Sequence, residues 1–394
     1  MDVRLDELLG QSGICARGVV HGGDGEIRLR SGHRLSGLTA AEILVADDAG
    51  PRWTSLDALE PGGYVAVRYG GWLWPTEAPR LDGFAPSPAY GRQKSIQIPD
   101  RLDDDLALLL GMYVAEGSSV ASNWTVSITN ADSGVRELTA RLIREKFGTE
   151  PFIQIGYGRC GSTRLASKRF IEWLDFVGAG RTAYKKRIPR AVLAAPRSSV
   201  LAFIQGLGLD GYSTQVGYSP RWAICVASSG LLDDLQILLT RLSIVHSRIE
   251  KLNKDNGKTY GEVFVSGGSA LELLRLAPFL EVKKVASASR LMQLHPRGGA
   301  ADQVPGINGR DLYYAIPRGK FGRHGYGHRS KFTHLLDTRS VRVSRRSLER
   351  VALIPGVAMP AWGETVLTAH LHFSPLRLLR QPGPWRIDER EDHS

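Results

Sequence analysis

Cysteine is scarce in this chain of 394 residues, which contains only Cys15, Cys160 and Cys225. The three lie far apart in the sequence, so they form neither a disulfide framework nor the close pairs that bind structural zinc. We therefore expect three free, buried thiols in a protein of a reducing compartment.

The chain also lacks a long apolar run. The two longest, LALLLGMYVA (106–115) and VLAFIQGLGL (200–209), are about half as long as a membrane-spanning helix. The opening residues MDVRLDELLGQ are acidic and polar, unlike a secretory signal. We expect a cytoplasmic protein without a membrane segment, long enough for two or three domains with their own cores.

Acidic residues are outnumbered, with 40 Asp and Glu against 51 Lys and Arg and a net charge of +11. This balance favours a polyanionic partner, with nucleic acid the first candidate. Residues 310–350 hold eleven basic and three acidic residues, interleaved with five aromatic ones. Basic side chains neutralise phosphates, and aromatic rings pack on sugars or bases. We predict that nine basic residues of this segment bind DNA: Arg318, Lys320, Arg323, Arg329, Lys331, Arg339, Arg342, Arg345 and Arg346.

An internal repeat occupies the middle of the chain. NWTVSITNADSGVRELTARLIREKFG (123–148) and RWAICVASSGLLDDLQILLTRLSIV (221–245) each change from a strand pattern to an amphipathic helix pattern. Two further strands and a helix follow each stretch, and the lysine pairs Lys185–Lys186 and Lys283–Lys284 lie at matching positions after them. Residues from about 100 to 290 are therefore predicted to form two α-β-β-α-β-β-α units.

Each unit begins with an apolar stretch that ends in an acid and a glycine, LLGMYVAEGS (109–118) and FIQGLGLDGYS (203–213). Gly111 lies on one helix face with Ala115, where small residues allow a second helix to approach. Glu116 follows at the helix end, with Gly117 predicted as a left-handed cap. Two such helices side by side would bring two carboxylates to the negative ends of two helix dipoles, which becomes favourable when divalent cations lie between them.

These two stretches, with YKKRIPRAVL (184–193) between them, resemble the LAGLIDADG (dodecapeptide) homing endonucleases of the intein-borne, two-motif type. The resemblance implies that Glu116 and Asp210 bind Mg²⁺, for which Mn²⁺ can substitute, and activate water. It implies that Lys186 and Lys284 stabilise charge near the scissile phosphates. It also implies a monomer whose two four-stranded sheets sit over the major groove of a long, asymmetric double-stranded DNA target.

The flanks resemble a degenerate intein splicing domain. GEIRLRSGHRLSG (25–37), RWTSLDALEPGGYVAV (52–67) and AHLHFSPLRLL (369–379) are similar to strands of that domain. Arg30 stands where the family has a threonine, and neither a nucleophile at the start nor a His-Asn pair at the end is present. We expect that splicing is lost, or that the junction strands lie outside this chain, and that His33 is a structural remnant.

The predicted fold class is α+β, with two pseudo-symmetric αββαββα repeats and a mainly β, Hint-like domain built from both chain ends. The predicted boundaries are 1–95 and 351–394 for the Hint-like domain, 96–195 and 196–295 for the repeats, and 296–350 for a linker with the basic segment.

Two questions stay open at the level of sequence. The first is function, since the same scaffold also suits a DNA-binding regulator that does not cleave or, less well, an RNA-splicing maturase. The second is register. Gly111 precedes Glu116 by five residues but Gly206 precedes Asp210 by four, which would place Asp210 about 100° out of position on a regular helix. If Asp210 instead holds the acid position, the bulkier Gln205 and Leu209 fall where Gly111 and Ala115 lie in the first copy, and Gly208 would relieve this by letting the last turn tighten to a 3₁₀ form.

Overall fold

The computed structural model describes residues 13–70, 73–88, 96–155, 160–252, 254, 257–295, 303–317, 328–336 and 343–380. The chain divides into a terminal unit, Met1–Gly71 with Gly298–Ser394, and a central unit, Trp72–Arg297. Both contain helices and antiparallel sheets, which confirms the α+β class.

The N-terminal part of the terminal unit contains four strands and a short 3₁₀ helix, Leu56–Ala58. The strands are β1 (Ala16–Leu29), β2 (Arg34–Asp47), β3 (Gly50–Ser55) and β4 (Tyr64–Arg68). In β2 the residues from Ile43 to Ala46 are all buried, as expected for a strand covered on both faces.

The first half of the central unit follows the order α-β-β-α-β-β-α. Its elements are α1 (Asp104–Glu116), β5 (Gly117–Val120), β6 (Thr125–Thr129), α2 (Ser133–Phe147), β7 (Phe152–Gln154), β8 (Ser162–Ala166) and α3 (Lys168–Phe176). Helix α1 begins after Asp103, whose side chain accepts a hydrogen bond from the Leu106 amide at 2.9 Å, and Ser167 caps α3 in the same way.

The second half repeats this order after a short helix, α4 (Arg190–Leu193). Its elements are α5 (Arg197–Leu207), β9 (Gly211–Val216), β10 (Ser219–Val226), α6 (Ser229–Arg241), β11 (His246–Leu252), β12 (Thr259–Ser266) and α7 (Gly268–Leu276), followed by α8 (Val282–Leu291). The sheet orders are equivalent, β5-β6-β8-β7 and β9-β10-β12-β11. The predicted element order therefore occurs twice.

Strand pairing shows the same repeat at the level of single residues. Val126 pairs with Leu165 in the first sheet, and Ile224 pairs with Val263 in the second. Each residue of the second pair lies 98 positions after its counterpart in the first. The matched tryptophans differ in environment, however. Trp222 is buried in β10, whereas Trp124 lies in the turn before β6 and is exposed, because β10 begins earlier relative to the repeat.

The remaining elements complete the terminal unit. They are β13 (Gln303–Val304), α9 (Gly309–Ala315), a 3₁₀ segment (His328–Leu336), β14 (Val343–Ser344), α10 (Arg345–Ala352), α11 (Ala361–Thr368) and β15 (Leu371–Arg380). Strand β15 lies between β1 and β4 in the sheet β1-β15-β4-β2-β3, so both chain ends build one sheet. Leu312, Ile316 and Leu348 are buried in the core of this unit. The described part of 296–350 is therefore packed structure, which corrects the expectation of a linker.

Helices α1 and α5 cross in the centre of the central unit at Gly111 and Gly206. A Cβ atom on Gly111 would lie 2.2 Å from the Phe203 carbonyl oxygen, and one on Gly206 would lie 2.3 Å from that of Leu108. At their N-terminal ends, the Ser199 hydroxyl donates to Asp104 at 2.6 Å. The two backbones therefore touch, and only glycine fits at the crossing.

Two expectations drawn from composition have a direct outcome in the structure. Cys15, Cys160 and Cys225 are all free, but only Cys15 is buried, so the expectation of three buried thiols was wrong for the other two. No helix in the described parts of the chain is both long and apolar enough to cross a membrane.

Gly206→Ala is expected to lower the free energy of unfolding by about 3 kcal/mol, because the new methyl group forces the two helices apart. Urea unfolding measures the loss. Gly268→Ala is the matched control, since a Cβ atom there meets nothing within 4 Å, and we expect its effect to stay within about 1 kcal/mol. Equal stability of the Gly206 variant and the wild type would contradict this close contact.

Candidate functional site: paired acids at the helix crossing

Glu116 is the last residue of α1, five positions beyond the crossing glycine. Gly117 follows in an extended conformation, with φ −84° and ψ 145°, and starts β5 directly. The left-handed cap predicted for Gly117 was therefore wrong. Glycine is required here for space, since a Cβ atom would lie 2.3 Å from the side chain and the carbonyl oxygen of Tyr113.

Asp210 reaches the same region through a tightened turn. Gly206 occupies the position at which the two helices cross, as Gly111 does in the first repeat. Asp210 therefore follows the crossing by four residues, whereas Glu116 follows it by five. After Leu207 the backbone forms 3₁₀ hydrogen bonds, from the amides of Leu209, Asp210 and Gly211 to the carbonyls three residues before them. A 3₁₀ turn rotates by about 120° per residue, which reduces the angular mismatch of Asp210 from about 100° to about 40°.

The two carboxyl groups interact electrostatically across the pair of helices. Burial raises the pKa of Glu116 from 4.5 to about 7, and the charge of Asp210 adds to the rise while Lys284 opposes it. Burial likewise raises the pKa of Asp210 from 3.8 to about 6, against the opposing effect of Lys284 and Lys186. The metal-free site therefore retains protons near neutral pH, which is typical of crowded functional carboxylates.

A lysine caps the carbonyl end of each motif helix. The Lys186 ammonium donates to the Tyr113 carbonyl at 2.8 Å and lies 3.3 Å from the centre of the Tyr113 ring. The Lys284 ammonium donates to the carbonyls of Gly208 and Leu209. Burial lowers the pKa of Lys186 to about 7, partly offset by the charge of Asp210. Each lysine thus lies at the end of the helix that carries the acid of its own repeat.

Each lysine segment is also held by the other repeat. Ser228, at the start of α6, donates to the Lys186 carbonyl at 2.7 Å. At the equivalent place, Asn130 donates to the Glu281 carboxylate at 3.3 Å, and Asp132 accepts from the Val282 amide at 2.9 Å. Docking of each repeat on the other therefore sets the positions of both lysines.

Glu281 is a third acid at this site that sequence reasoning missed. Its carboxylate forms an ion pair with Lys284, and its charge contributes to the raised pKa of both Glu116 and Asp210. Position 183, which matches it in the first repeat, is alanine. The sequence signal was its place three residues before Lys284, but an acid near a lysine usually forms an ordinary surface pair.

The donor chemistry of Glu116 and Asp210 fits a hard divalent cation. Mg²⁺ commonly takes one or two carboxylates and completes its shell with water and substrate phosphate. No cluster of three or more His, Cys, Asp or Glu that could hold a metal occurs in the described ranges. By their chemistry, the two helix-end acids are the candidate ligands.

The predicted DNA-binding residues of the basic segment divide into three groups. Arg345 is 8% exposed, and its guanidinium donates to the carbonyls of Val366 and Leu371. The prediction that Arg345 binds DNA was therefore wrong, since its donors face inward. Five residues, Arg318, Lys320, Arg323, Arg339 and Arg342, lie outside the described residues.

Arg329 is also tied down, because it donates to the carbonyls of Tyr314 at 2.8 Å and Ile316 at 2.6 Å near the end of α9. These bonds give Arg329 a structural role, and with its side chain half-buried it stays a prediction as a DNA contact. Lys331 and Arg346 have exposed side chains. These two residues stay predictions as DNA contacts.

The outward faces of the two central sheets carry further side chains suited to a groove. In the first sheet Ser127 and Phe152 both pair with Arg164, and Phe152 is 53% exposed. In the second sheet the Arg221 guanidinium lies 4.3 Å from the centre of the Phe264 ring. Strand alternation in the sequence indicates which residues point away from the helices. Which of them are neighbours on adjacent strands depends on the strand register, which only the structure shows.

His33 lies in the terminal unit with 3% exposure. Its Nδ1 atom is 2.8 Å from the Ser31 hydroxyl, and its ring contacts Tyr69 edge to face at 5.5 Å. These contacts tie the turn between β1 and β2 to the sheet, as expected of a structural residue.

No family model matches the chain. Curated relatives are similar over part of it. The replication factor C small subunit of Methanocaldococcus jannaschii is 28% identical over 43% of this chain. An A-type ATP synthase subunit of Pyrococcus abyssi is 32% identical over 46%, and the DNA polymerase II large subunit of Thermococcus kodakarensis is 30% identical over 34%. The chain spans only 9%, 18% and 7% of these proteins, respectively.

Two solved structures show weak similarity. The homing endonuclease I-DmoI in complex with DNA and Ca has 17% identity and a TM-score of 0.34, covering 47% of this chain and 96% of that one. Full-length DUF199/WhiA from Thermatoga maritima has 14% identity and a TM-score of 0.32, covering 54% and 64%. Scores of this size do not establish a shared fold, and the curated relatives match too little of their length to place the chain in their families.

Proposed function

We propose that the central unit is a sequence-specific, double-strand DNA endonuclease of the LAGLIDADG type that uses Mg²⁺ or Mn²⁺. The observation that carries this proposal is the pairing of Glu116 and Asp210, one from each repeat, at the ends of two helices that touch at Gly111 and Gly206. Burial raises the pKa of both acids, and the charge of Asp210 raises that of Glu116 further, so a bound cation would stabilise both carboxylates.

In this mechanism each group has a distinct task. Glu116 and Asp210 would hold the metal, which supplies Lewis acidity and lowers the pKa of a bound water when present. The Lys186 and Lys284 ammonium groups, fixed on helix-end carbonyls, offset negative charge that develops on the phosphate oxygens. The outward sheet faces, with Arg164 and Arg221, contact base edges in the major groove.

The partial relatives support an inserted, mobile origin for the chain. Their names describe a replication factor, part of an ATP synthase and part of a DNA polymerase, and the chain spans under a fifth of each. A segment shared by proteins of such different activities is expected of an element inserted into them. We accordingly propose that the terminal unit is a degenerate, Hint-like intein domain and that replication or ATP synthesis is not the function of this chain.

Glu116→Gln is expected to lower the cleavage rate at least about a thousandfold while leaving DNA affinity within about twofold, because it removes a metal ligand and preserves shape. Cleavage of a random plasmid library with Mg²⁺ or Mn²⁺ identifies the target site, and filter binding measures affinity. Glu145→Gln is the matched control, since Glu145 is exposed on α2 and pairs with Arg141 in its own helix. Wild-type protein that binds DNA but never nicks it would instead favour the non-cleaving regulator.

The acid pair should also destabilise the metal-free protein at high pH. The folded-state pKa of Glu116 is raised, so its favourable contribution is present below about 4.5 and is lost as the pH rises to about 7. Glu116→Gln should therefore raise the melting temperature in EDTA by about 3 °C at pH 8 and by much less at pH 5. Calorimetry at both pH values measures this difference.

Added Mg²⁺ should make the melting temperature of the wild type higher than that of Glu116→Gln at pH 8, because it stabilises the wild type alone. The Glu145→Gln control should have the same melting temperature as the wild type under every condition. A Glu116→Gln variant that is less stable than the wild type in EDTA at pH 8 would show that the acid is an ordinary structural residue.

Replacing Lys331 and Arg346 by glutamine should weaken DNA binding and make the slope of log K against log salt shallower by roughly 2, about 0.9 for each phosphate that is no longer neutralised. Arg345→Gln is the matched control, because Arg345 bonds to internal carbonyls. It should lower stability and leave the salt slope unchanged. An unchanged slope in the double variant would assign both residues to solvated surface.

A further inference from the structure

A buried carboxylate lies on the outward face of the second central sheet. In β12, Val263 and Val265 belong to the core beneath the sheet, so strand alternation places Glu262 on the opposite face, the one proposed to meet DNA. Within the strands that the structure describes in both central sheets, Glu262 is the one acid that alternation places outward. An acid on a surface that meets a polyanion calls for a role other than phosphate contact.

Two exposed side chains cover Glu262 and share one of its carboxylate oxygens. The Lys251 ammonium donates to Oε2 at 2.6 Å, and the Tyr212 hydroxyl donates to the same atom at 2.8 Å. The Lys251 side chain is 48% exposed and Tyr212 is 37% exposed, whereas Glu262 is 1% exposed. The other oxygen, Oε1, is buried and has no hydrogen-bond partner among the described residues. A buried carboxylate with an unpaired oxygen costs stability, so the fold alone does not account for Glu262.

Glu262 determines which hydrogen-bonding groups of its two neighbours remain for a ligand. A tyrosine hydroxyl has one donor hydrogen and two acceptor lone pairs. Burial and the bond to Glu262 raise the pKa of Tyr212 to about 12, so the hydroxyl keeps its proton and directs it at the carboxylate. Its oxygen is therefore left as an acceptor. Lys251 uses one of its three hydrogens on Glu262 and keeps two donors.

The ion pair also changes what Lys251 contributes to DNA binding. Its charge is offset by the Glu262 carboxylate, so its attraction to phosphate is weak and its contact with DNA releases few counterions. Fixed donors beside a fixed acceptor match a base pair better than a phosphate. In the major groove a G·C pair presents the guanine O6 and N7 acceptors beside the cytosine amino donor.

We infer that Lys251 and Tyr212 are specificity-determining residues that read one G·C pair. Lys251 donates to guanine O6 and N7, and Tyr212 accepts from the cytosine amino group. Glu262 touches no base and is the positioning residue that sets this pattern of donors and acceptor. This inference rests on the DNA-binding part of the proposed function and does not require cleavage.

The test uses the full-length protein and measures binding in EDTA. Duplexes that bind are enriched from a random-sequence pool, and the affinity of every single-base-pair variant of the recovered site is then measured. The wild type should prefer G·C by about tenfold at the position that Lys251 reads. Lys251→Met should reduce this preference to about twofold and leave the other positions unchanged, whereas Lys251→Arg should retain it, since arginine also donates to guanine O6 and N7.

Glu262→Gln separates a positioning role from a structural one. Without the carboxylate, Lys251 regains its full charge, so the slope of log K against log salt should become steeper by about 0.9, while the G·C preference falls. Tyr212→Phe should weaken the same preference without changing the slope. Thermal melting of each variant reports whether it is folded.

Lys254→Met is the matched control, because Lys254 is an exposed lysine just beyond β11, and it should keep every base preference. A Lys251→Met variant that keeps all base preferences, or that weakens binding to all sequences equally, would overturn the inference. A Glu262→Gln variant with the wild-type preference and salt slope would do the same. Protein that binds DNA without cutting it would refute the proposed endonuclease alone, whereas protein that binds no DNA would refute both.

Discussion

The close contact of two helices at Gly111 and Gly206 determines the rest of the central unit. Because neither glycine has a side chain, the backbones of α1 and α5 touch, and an acid beyond each glycine lies close enough to the other for their charges to interact. Glu116 and Asp210 are those acids, and Lys186 and Lys284 cap the carbonyls that the two helix ends expose. A larger residue at either crossing position would separate the acids as well as the helices.

This arrangement places like charges together at the negative ends of two helices, which is unfavourable for an empty site. Burial is the main cause of the raised pKa of both acids, and the charge of Asp210 adds to the rise at Glu116. In the proposed function a divalent cation removes this cost, so the same feature that weakens the metal-free fold would provide affinity for the metal. Lys284 opposes the rise at both acids, and the charge of Glu281 adds to the rise at both.

Much of the fold followed from the sequence because it depends on local patterns. Apolar spacing and the 98-residue repeat predicted the order of helices and strands, and both occur as expected. The position of Asp210 required the three-dimensional structure, since it depends on whether the turn after Leu207 is α or 3₁₀, and Gly208 permits both. Glu281 was missed because its importance comes from Asn130, which the fold brings to it from the first repeat, and from its effect on Glu116 and Asp210. Arg345 was wrongly predicted to bind DNA because the sequence shows where charged residues occur, but not that buried carbonyl groups accept the hydrogen bonds of this guanidinium.

The central claim is that Glu116 and Asp210 form one metal site on DNA. Anomalous diffraction from a crystal of the protein with Mn²⁺ and its target duplex measures this most directly. The account predicts Mn²⁺ bound by both carboxylates and a scissile phosphate, at the ends of α1 and α5. Mn²⁺ bound elsewhere, or Asp210 turned away from Glu116 and the phosphate, would contradict it.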